Sequence, residues 1–449
     1  MQKILVIGAG RSSSTLIKYL LDNADKQNWI IRVGDSDLLL AQERVDNNPK
    51  GEAFIFDALN PNERIKEISK VDLVISMLPA IFHIDVIKDC IKLKKHILTP
   101  SYQSKEMFDL DAQVKAAGIL SLNEIGLDPG IDHMSAKKVL DEIVKKGGEM
   151  TGFESFTGGL IAPESDDNPW NYKFTWNPRN VVLAGQGGTA KFLQEHKYKY
   201  IPYSKLFRRT EIIEIEGYGK FEGYANRDSL SYRSIYDLDD IPTIFRGTLR
   251  KLGFCRAWNI FVQLGLTDDS YIIEGSENMT YRDFINSFLP YSTHDSVELK
   301  FRHLLNIEQD DYIWEKLVWL GIFENNKIDI KNATPAQILQ KILEDKWTLK
   351  PNDKDMIVMW HKFNYKLNGI NKEIRSYMVY IGKDQIYTAM SDTVGLPVGI
   401  CAKLILNKKI NLTGVHLPTY KDIYIPVLKE LEEYGINFIE KEVDPVLYV

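Results

Sequence analysis

Apolar and polar residues follow two alternating periodicities over the first 125 residues. Short apolar runs of the kind found in buried strands occupy residues 4–7, 30–34, 53–56, 73–77, 96–99 and 119–122. Between them, apolar residues recur at spacings of three and four, as in amphipathic helices, at 13–21, 81–93 and 108–117. Repeated strand–helix alternation predicts an α/β domain over residues 1–125, with a doubly wound parallel sheet of the Rossmann type.

The pattern changes after residue 125. Aromatic, β-rich and glycine-punctuated segments occur at 154–160, 212–215 and 218–224. A strand-like run at 377–386 has the same character. These segments predict a second, mixed α/β domain built from residues 126–279 and 362–393.

The remaining segments have helical spacing. Residues 280–361 predict a small all-helical domain, because apolar positions recur there every three or four residues. Two further helices are predicted at 394–406 and 423–434. We expect the C-terminal segment 394–449 to pack back on the first domain.

The composition of the chain limits the classes of ligand and the cellular location that we expect. A chain of 449 residues with a net charge of −6 and dispersed Lys and Arg has no basic footprint for nucleic acid, so a small-molecule ligand is expected. Cys90, Cys255 and Cys401 lie far apart, which predicts a reducing compartment and no metal site. No apolar run approaches the ~20 residues of a membrane helix, and the start MQKILVIGAG lacks signal-peptide order. We expect a cytoplasmic protein without a membrane partner.

A glycine-rich turn, GAGRSS, follows the first strand and precedes the first helix, which is the context of a dinucleotide-binding loop. Gly8 permits the tight turn, and Gly10 lets the backbone approach a pyrophosphate at the helix N-terminus. Ser13 replaces the third glycine of the fingerprint and is small enough for close helix packing. We predict that this loop binds the cofactor through Gly8, Gly10, Arg11, Ser12 and Ser13.

Asp35 ends the second strand, 25 residues after Gly10 (35 − 10), near the interval of about twenty expected for the acid that binds the adenosine ribose. A carboxylate accepts a hydrogen bond from the 2′-hydroxyl of NAD and repels the 2′-phosphate of NADP. The position therefore favours NAD. Arg11 and Arg32 keep NADP open, and Asp37 is an alternative to Asp35 for the ribose.

Two more turns after strands carry polar groups. Ser76 and Leu78 stand where the fourth strand ends, a position that faces the nicotinamide half of a dinucleotide. His83 follows in the next helical turn, where an imidazole could either donate a proton or position its neighbours. Ser101 and Tyr102 follow the fifth strand, where hydroxyls can bind a substrate carboxylate.

The densest polar run is NEIGLDPGIDHMSA at residues 123–136, directly after the sixth strand-like run. Ligands of open α/β sheets bind beyond the carboxyl ends of the strands, so this run is predicted to belong to the active site. Asp128 is the candidate site acid. Asp132 and His133 are instead predicted to begin the next helix, with Asp132 as its N-cap.

Five arginines fall within thirty residues of the second domain: Arg227, Arg233, Arg246, Arg250 and Arg256. Arginine binds carboxylates bidentately, so the cluster suits a substrate with several carboxylates. Arg227 and Arg250 are the favoured members, because each lies in a dense polar segment at a predicted element end.

Together these motifs resemble the saccharopine reductase family, the glutamate-forming saccharopine dehydrogenases of lysine metabolism. The resemblance covers nearly the whole chain, and its motifs occur in the same order as in the family. Residues 280–361 share only their helical character with the family. The segments that carry it are GAGRSS, HIDVIKDCIKLKKHILTPSY, NEIGLDPGIDH, GGLIAPESDDNPWNYKF, WNPRNVVLAG, GYANRDS and IFRGTLRKLGF.

The resemblance implies residue roles and a homodimer, with the second domain serving substrate binding and dimerisation. Near the nicotinamide it places Leu127, Pro129 and Thr157. It implies that saccharopine contacts Ser101, Tyr102, Asp128, Arg227, Thr248, Leu249 and Arg250.

Two positions depart from the family pattern. Thr157 stands where fungal relatives have a cysteine beside the cofactor, so a role that needs a thiol is excluded. Asp35 follows Gly34 where NADP-using fungal members place an arginine. The family implies NADP and Asp35 favours NAD, so the cofactor is expected to be NAD or NADP.

The resemblance also implies the reaction, an oxidoreduction that interconverts saccharopine with L-glutamate and 2-aminoadipate 6-semialdehyde. Carboxynorspermidine dehydrogenase, homospermidine synthase and lysine 6-dehydrogenase are alternatives on the same scaffold. A non-catalytic nucleotide-sensing protein is an alternative of another class. The paired arginine segments favour a tricarboxylate over a polyamine, which calls for an acidic pocket.

Overall fold

The computed structural model describes residues 1–186 and 188–444. The chain divides into two compact units. The first unit comprises residues 1–150, 235–238 and 359–449, and the second comprises residues 151–234 and 239–358. The helices expected as a separate small domain belong to the second unit.

The N-terminal region alternates strands and helices, as its periodicity predicts. Its strands are β1 (Gln2–Ile7), β2 (Trp29–Asp35), β3 (Gly51–Ile55), β4 (Leu73–Ser76), β5 (His96–Leu98) and β6 (Leu120–Leu122). Its helices are α1 (Ser14–Gln27), α2 (Leu38–Val45), α3 (Pro61–Ser69), α4 (His83–Leu93), α5 (Lys105–Phe108), α6 (Asp111–Ala116) and α7 (Ile131–Lys145).

The middle of the chain contains long strands followed by helices. Its strands are β7 (Glu149–Ile161), β8 (Ala190–Gln194), β9 (Lys197–Ile201), β10 (Thr210–Ile215), β11 (Gly219–Ala225) and β12 (Ile244–Lys251). Its helices are α8 (Pro178–Val182), α9 (Tyr203–Leu206), α10 (Phe254–Leu264), α11 (Tyr281–Asn286), α12 (Val297–Leu305), α13 (Tyr312–Trp319) and α14 (Pro335–Trp347).

The C-terminal region begins with two long strands. Its strands are β13 (Asp355–Leu367), β14 (Ile370–Ile381), β15 (Gly414–His416) and β16 (Ile439–Val443), and its helices are α15 (Ala389–Leu406) and α16 (Lys421–Glu433). Residues 355–361, expected to be helical, are part of β13, where aromatic and β-branched residues favour an extended chain. The strand expected at 377–386 is β14 and ends at Ile381.

The first unit contains the expected parallel sheet, with strand order β15-β6-β5-β4-β1-β2-β3. Residues 4–7 of the inner strand β1 are fully buried, as strands covered on both faces are. β15 pairs with β6 in parallel and adds a seventh strand from the C-terminal segment. Its sequence, GVH, has one apolar side chain and stands outside the alternating N-terminal series, so the sequence did not predict this strand.

Helix α15 returns the C-terminal segment to the first unit, as expected. A Cβ at Gly395 would lie 2.7 Å from the backbone nitrogen of Leu16, so α15 packs closely on α1. The Oγ atoms of Ser14 and Ser391 lie 2.6 Å apart, and Thr15 Oγ1 donates to Asp392 at 2.5 Å. In the described part of the chain, α15 alone is long and apolar enough to cross a membrane, and 72% of it is buried in the fold, as expected of a core helix.

The second unit contains a mixed sheet in which β10, β11, β12 and β7 are neighbours in that order. β12 runs antiparallel to β11 and parallel to β7. One part of this unit's core is an aromatic cluster in which ring centroids lie 5.0–6.1 Å apart, formed by Trp170, Tyr172, Phe254, Trp258 and Trp347.

Candidate active site

The glycine-rich loop fits a dinucleotide. Gly8 has φ of +102°, and a Cβ there would approach the carbonyl oxygen of Met77 at 3.3 Å, so the turn requires glycine. A Cβ at Gly10 would meet nothing within 4 Å, which leaves space where a pyrophosphate is expected. Residues Arg11–Ser13 form a 3-10 turn before α1, and Ser13 Oγ donates to the carbonyl of Gly10 at 2.7 Å. Free backbone N–H groups at such a helix start favour an anion.

Asp35 lies beside this loop. Its Oδ2 accepts a hydrogen bond from the backbone of Ala9 at 2.7 Å, and its Oδ1 accepts from the backbone of Asp37 at 2.9 Å. Asp37 is the N-cap of α2, because its Oδ1 accepts from the backbones of Leu39 and Leu40. The geometry therefore assigns Asp37 a capping role and leaves Asp35 as the candidate for the ribose.

Arg11 and Arg32, the two arginines that could bind the 2′-phosphate of NADP, differ in their surroundings. Arg32 donates to Glu52 at 2.8 Å and to Glu67 at 2.6 Å, and its guanidinium lies 4.7 Å from the ring centroid of Phe54. Arg32 is thus already neutralised by two carboxylates. Arg11 is exposed at the glycine-rich loop.

His83 is the centre of a buried hydrogen-bond network after β4 and β5. Its Nδ1 lies 2.9 Å from Ser76 Oγ, and its Nε2 lies 2.8 Å from Ser101 Oγ and 3.1 Å from Thr99 Oγ1. Burial lowers the pKa of His83 to about 4, so the imidazole is neutral at pH 7. This geometry favours the positioning role of His83 over the proton-donor role. Leu78 is half-buried in the same turn.

Tyr102 and Asp128 meet, as their shared role in the resemblance requires. The Tyr102 hydroxyl donates to Asp128 Oδ1 at 3.1 Å. The turn around Asp128 is tight, because Gly126 N donates to the carbonyl of Pro129 at 3.0 Å and a Cβ at Gly130, where φ is +147°, would lie 2.1 Å from the carbonyl oxygen of Gly126. Leu127 is buried within this turn. A phenol and a carboxylate in contact can bind and pass a proton.

The structure adds a network that the sequence did not reveal. Glu124 accepts from the backbone of Gln103 at 2.9 Å through Oε1, and its Oε2 lies 2.8 Å from His133 Nε2. His133 Nδ1 lies 2.7 Å from the hydroxyl of Tyr236. Glu124, His133 and Tyr236 are all buried. Glu124 thereby links the segment after Tyr102 to the start of α7. The only sequence feature that pointed to Glu124 was its position within the polar run 123–136.

The predicted N-cap at Asp132 is wrong. α7 begins at Ile131 and its N-cap is Gly130, so Asp132 lies inside the first turn. Its Oδ1 accepts from the backbone of Gly130 at 2.6 Å. The prediction failed by two residues because the tight turn at Gly126–Gly130 starts the helix earlier than the side-chain pattern indicates.

In the second unit, Arg250 is buried without an acidic partner among the described residues. The residue is 5% exposed, and its Nη1 donates to the carbonyl of Leu249 at 2.9 Å. Within residues 1–186 and 188–444 it forms no ion pair, and its Nε has no hydrogen-bond partner. Its guanidinium carbon lies 5.1, 5.8 and 5.4 Å from the ring centroids of Tyr172, Tyr224 and Phe254. A buried, unneutralised cation is costly and suits an anionic ligand.

The other predicted residues of this unit lie on or beside β7, β11 and β12. Thr248 of β12 pairs with Thr157 of β7, and the Thr157 hydroxyl is buried without a partner in the described part of the chain. Leu249 is fully buried. Arg227 is exposed, with φ of +46° directly after β11.

The remaining arginines of the cluster do not gather around Arg250's aromatic rings. Arg246 is buried with its guanidinium carbon 3.9 Å from the ring centroid of Tyr232. Arg233 is half-buried and Arg256 is exposed. Sequence proximity alone therefore overstated the cluster, since Arg246 and Arg250 lie on β12, whereas Arg233 ends a 3-10 turn and Arg256 lies in α10.

Comparisons with known proteins cover both units. Residues 4–122 match the family model of the saccharopine dehydrogenase NADP binding domain, and residues 126–436 match that of the saccharopine dehydrogenase C-terminal domain. A saccharopine dehydrogenase [NADP(+), L-glutamate-forming] from Pyricularia oryzae is 33% identical over 453 residues, which cover 98% of this chain and 99% of the relative.

Solved structures agree in fold. The apo histidine-tagged saccharopine dehydrogenase (L-Glu forming) from Saccharomyces cerevisiae matches with a TM-score of 0.88 and 31% identity, over 99% of this chain and all of the other. Homospermidine synthase from Legionella pneumophila, solved in complex with NAD, matches over 100% of this chain and 93% of the other with a TM-score of 0.58. Its 9% identity shows a shared fold alone. The chain belongs to the saccharopine dehydrogenase family.

Proposed function

We propose that this protein is a saccharopine dehydrogenase of the L-glutamate-forming kind. It interconverts saccharopine with L-glutamate and 2-aminoadipate 6-semialdehyde, using a nicotinamide dinucleotide. The full-length family match supports the reaction class. The observation that carries the substrate assignment is the buried Arg250, whose guanidinium lacks an acidic partner in the described residues.

The substrate explains why a buried cation is needed. Saccharopine is a secondary amine with three carboxylates, and a guanidinium binds a carboxylate with two parallel hydrogen bonds. Arg250 and the exposed Arg227 bind carboxylates in this proposal, and Thr248 and Leu249 line the same strand. Homospermidine has no carboxylate, so Arg250 disfavours that alternative, and carboxynorspermidine and lysine have one carboxylate each for Arg227 and Arg250, against three in saccharopine.

The first unit supplies the groups for the amine. Oxidation transfers a hydride from the carbon bonded to nitrogen to the nicotinamide, and the resulting imine takes up water and splits into the two products, with release of one proton. The bound dinucleotide supplies the hydride acceptor. Asp128 orients the amine and accepts its proton, while Tyr102 holds Asp128 Oδ1 through the 3.1 Å hydrogen bond.

His83 positions Ser101 rather than touching substrate. Its neutral imidazole is fixed between Ser76 and Ser101, so the Ser101 hydroxyl is held in place for a substrate carboxylate. Such fixed geometry reduces the entropy lost when the substrate binds. Leu127, Pro129 and Thr157 flank the nicotinamide in this proposal.

We further propose that the cofactor is NAD. Asp35 presents a carboxylate at the end of β2, and Arg32 is held by Glu52 and Glu67 rather than free for a phosphate. The Pyricularia oryzae relative has NADP(+) in its name and the matching family model is described as an NADP binding domain, so this proposal distinguishes the chain from both. For Asp35→Ser we expect the ratio of kcat/KM with NAD to that with NADP to fall about thirtyfold, equivalent to ~2 kcal/mol. An unchanged ratio would contradict the role of Asp35.

Initial rates test the function. Saccharopine should reduce the nicotinamide cofactor faster than lysine or a polyamine does. Asp128→Asn and Arg227→Met should lose turnover while still binding the dinucleotide, whereas a nucleotide sensor has no turnover to lose. The proposed function fails when the wild-type protein turns over saccharopine with neither NAD nor NADP.

The homodimer and the cytoplasmic location stay predictions. Light scattering after size-exclusion chromatography tests the dimer by its mass.

A further inference from the structure

We infer that Tyr172 is a second donor of the carboxylate subsite around Arg250, and that its hydroxyl binds the same substrate carboxylate as the guanidinium. This inference rests on the proposed function and concerns a residue to which the sequence motifs assigned no role of its own. The aromatic residue is thus a specificity-determining group rather than only part of the core.

Unsatisfied hydrogen bonding carries the inference. The Tyr172 side chain is 0% exposed, and in the described part of the chain its hydroxyl proton has no acceptor; the nearby Trp176 indole, which lowers the phenol pKa, can only donate. Arg250 Nε is also buried and has no acceptor among the same residues. Native proteins satisfy nearly all buried polar groups, so two neighbouring exceptions indicate an absent acceptor. A carboxylate has acceptor oxygens for both donors.

The two groups are neighbours held by rigid packing. The guanidinium carbon of Arg250 lies 5.1 Å from the ring centroid of Tyr172. The Tyr172 ring packs against Phe254 and Trp347 at centroid distances of 5.2 and 5.0 Å, and its carbonyl accepts from Asn168 Nδ2 at 3.1 Å. Such packing fixes the donor before the ligand arrives.

Lys173, the residue after Tyr172, is a buried cation whose charge is neutralised within the protein, so it serves as a comparison for Arg250. Lys173 is also buried, and its ammonium contacts Asp353 at 2.7 Å and Asp167 at 2.8 Å. Adjacent residues of one segment thus present a neutralised cation and a phenol whose proton has no acceptor among the described residues. Burial raises the pKa of the Tyr172 phenol despite the opposing effect of Arg250, so the phenol keeps its proton and acts as a donor.

The test removes one hydroxyl. We expect Tyr172→Phe to raise the KM for saccharopine about tenfold, with the KM for the dinucleotide and the unfolding temperature nearly unchanged, because the hydroxyl proton has no acceptor among the described residues. The matched control is Tyr281→Phe, since Tyr281 is also buried and its hydroxyl donates to Asp345 at 2.6 Å. That variant should lose thermal stability and keep its KM.

A double variant separates direct binding from a structural effect. When Tyr172 and Arg250 hold the same carboxylate, Tyr172→Phe should add little to the defect of Arg250→Met. Multiplicative defects in kcat/KM, or an unchanged KM in Tyr172→Phe, overturn the inference.

Glutarate, a simple dicarboxylate, gives a readout independent of turnover. It should raise the unfolding temperature of the wild-type protein more than that of Tyr172→Phe. Equal shifts overturn the subsite even when saccharopine is turned over. If the wild-type protein fails to oxidise saccharopine, the proposed function is wrong. The role of Tyr172 is still tested in that case, because the glutarate comparison does not depend on turnover.

Discussion

The candidate sites in the two units differ in how their buried polar groups are bonded. In the first unit, both ring nitrogens of His83 have hydroxyl partners, and Glu124 bonds to both Gln103 and His133. In the second unit, Arg250 Nε and the Tyr172 hydroxyl are buried donors without acceptors in the described residues. A satisfied network fixes its members in place, whereas unsatisfied donors gain free energy when a ligand supplies the acceptor.

This contrast separates positioning from binding. Changes in the satisfied network should alter stability and the placement of reacting groups. Changes at the unsatisfied donors should alter substrate affinity and leave the free protein nearly as stable as before.

The largest expected effect is at the unsatisfied cation. Arg250→Met should lower kcat/KM for saccharopine about 100- to 1000-fold, since truncating one partner of a buried charge pair costs ~2–5 kcal/mol. The unfolding temperature should change little, because the free protein loses an uncompensated charge. Steady-state kinetics and thermal unfolding measure the two effects.

Lys173→Met is the control for this prediction. It leaves Asp353 and Asp167 without their buried cation, so it should destabilise the fold by about 3 kcal/mol. If Arg250→Met destabilises the fold as much as Lys173→Met does, Arg250 is a structural residue and the contrast between the units is lost.

A smaller effect is expected in the satisfied network of the first unit. Glu124→Gln can still accept from Gln103 but offers an amide donor to His133, so the charged acceptor is lost and His133 must change tautomer to keep its hydrogen bond. The segment after Tyr102 should then be held less firmly, and kcat should fall about tenfold, or ~1.4 kcal/mol. The KM for the dinucleotide should stay the same.

The readout for Glu124→Gln is the split between kcat and KM. A raised KM for saccharopine with normal kcat would assign Glu124 to binding instead. An exposed carboxylate of the same unit, Asp25, provides the control, and Asp25→Asn should leave both constants unchanged.

The smallest expected effect is the pH dependence caused by His83. Its pKa is about 4 in the fold and about 6.5 when unfolded, so below pH 6.5 the unfolded chain binds the proton first. Stability is therefore fully present above pH 6.5 and is lost as the pH falls toward 4. Between pH 7 and 5.5 the loss due to His83 should be about 1 kcal/mol.

Denaturant unfolding of the wild type and His83→Gln measures this contribution, because glutamine cannot titrate. The two proteins should differ in the slope of stability against pH below pH 6.5. Parallel slopes would show that His83 is not buried as a neutral imidazole.

Much of the fold follows from local periodicity. The six N-terminal strands, helix α1 and the return of the C-terminal segment were predicted, because each carries apolar residues at a period that repeats over several turns or strands. β15, with the sequence GVH, has one apolar side chain and stands outside the N-terminal series, and β13 begins with a continuous apolar run that does not distinguish a strand from a helix.

Part of the candidate site was proposed from local motifs, and the roles of its residues stay predictions. Gly8, Asp35, Asp128 and Arg250 were identified from their motifs, and the structure shows how each is held. The Glu124–His133–Tyr236 network was not predictable, because Tyr236 lies 103 residues from His133 in the chain.

The sequence by itself determined the Rossmann architecture, the dinucleotide loop and the family, since these depend on local spacing and on motifs in a fixed order. Tertiary structure alone decided which polar groups are satisfied. Of two neighbouring residues, Tyr172 and Lys173, one has a buried donor without an acceptor among the described residues and the other has two acidic partners. Hydrogen-bond satisfaction depends on which distant side chains the fold brings within about 3 Å, and no local pattern encodes that distance.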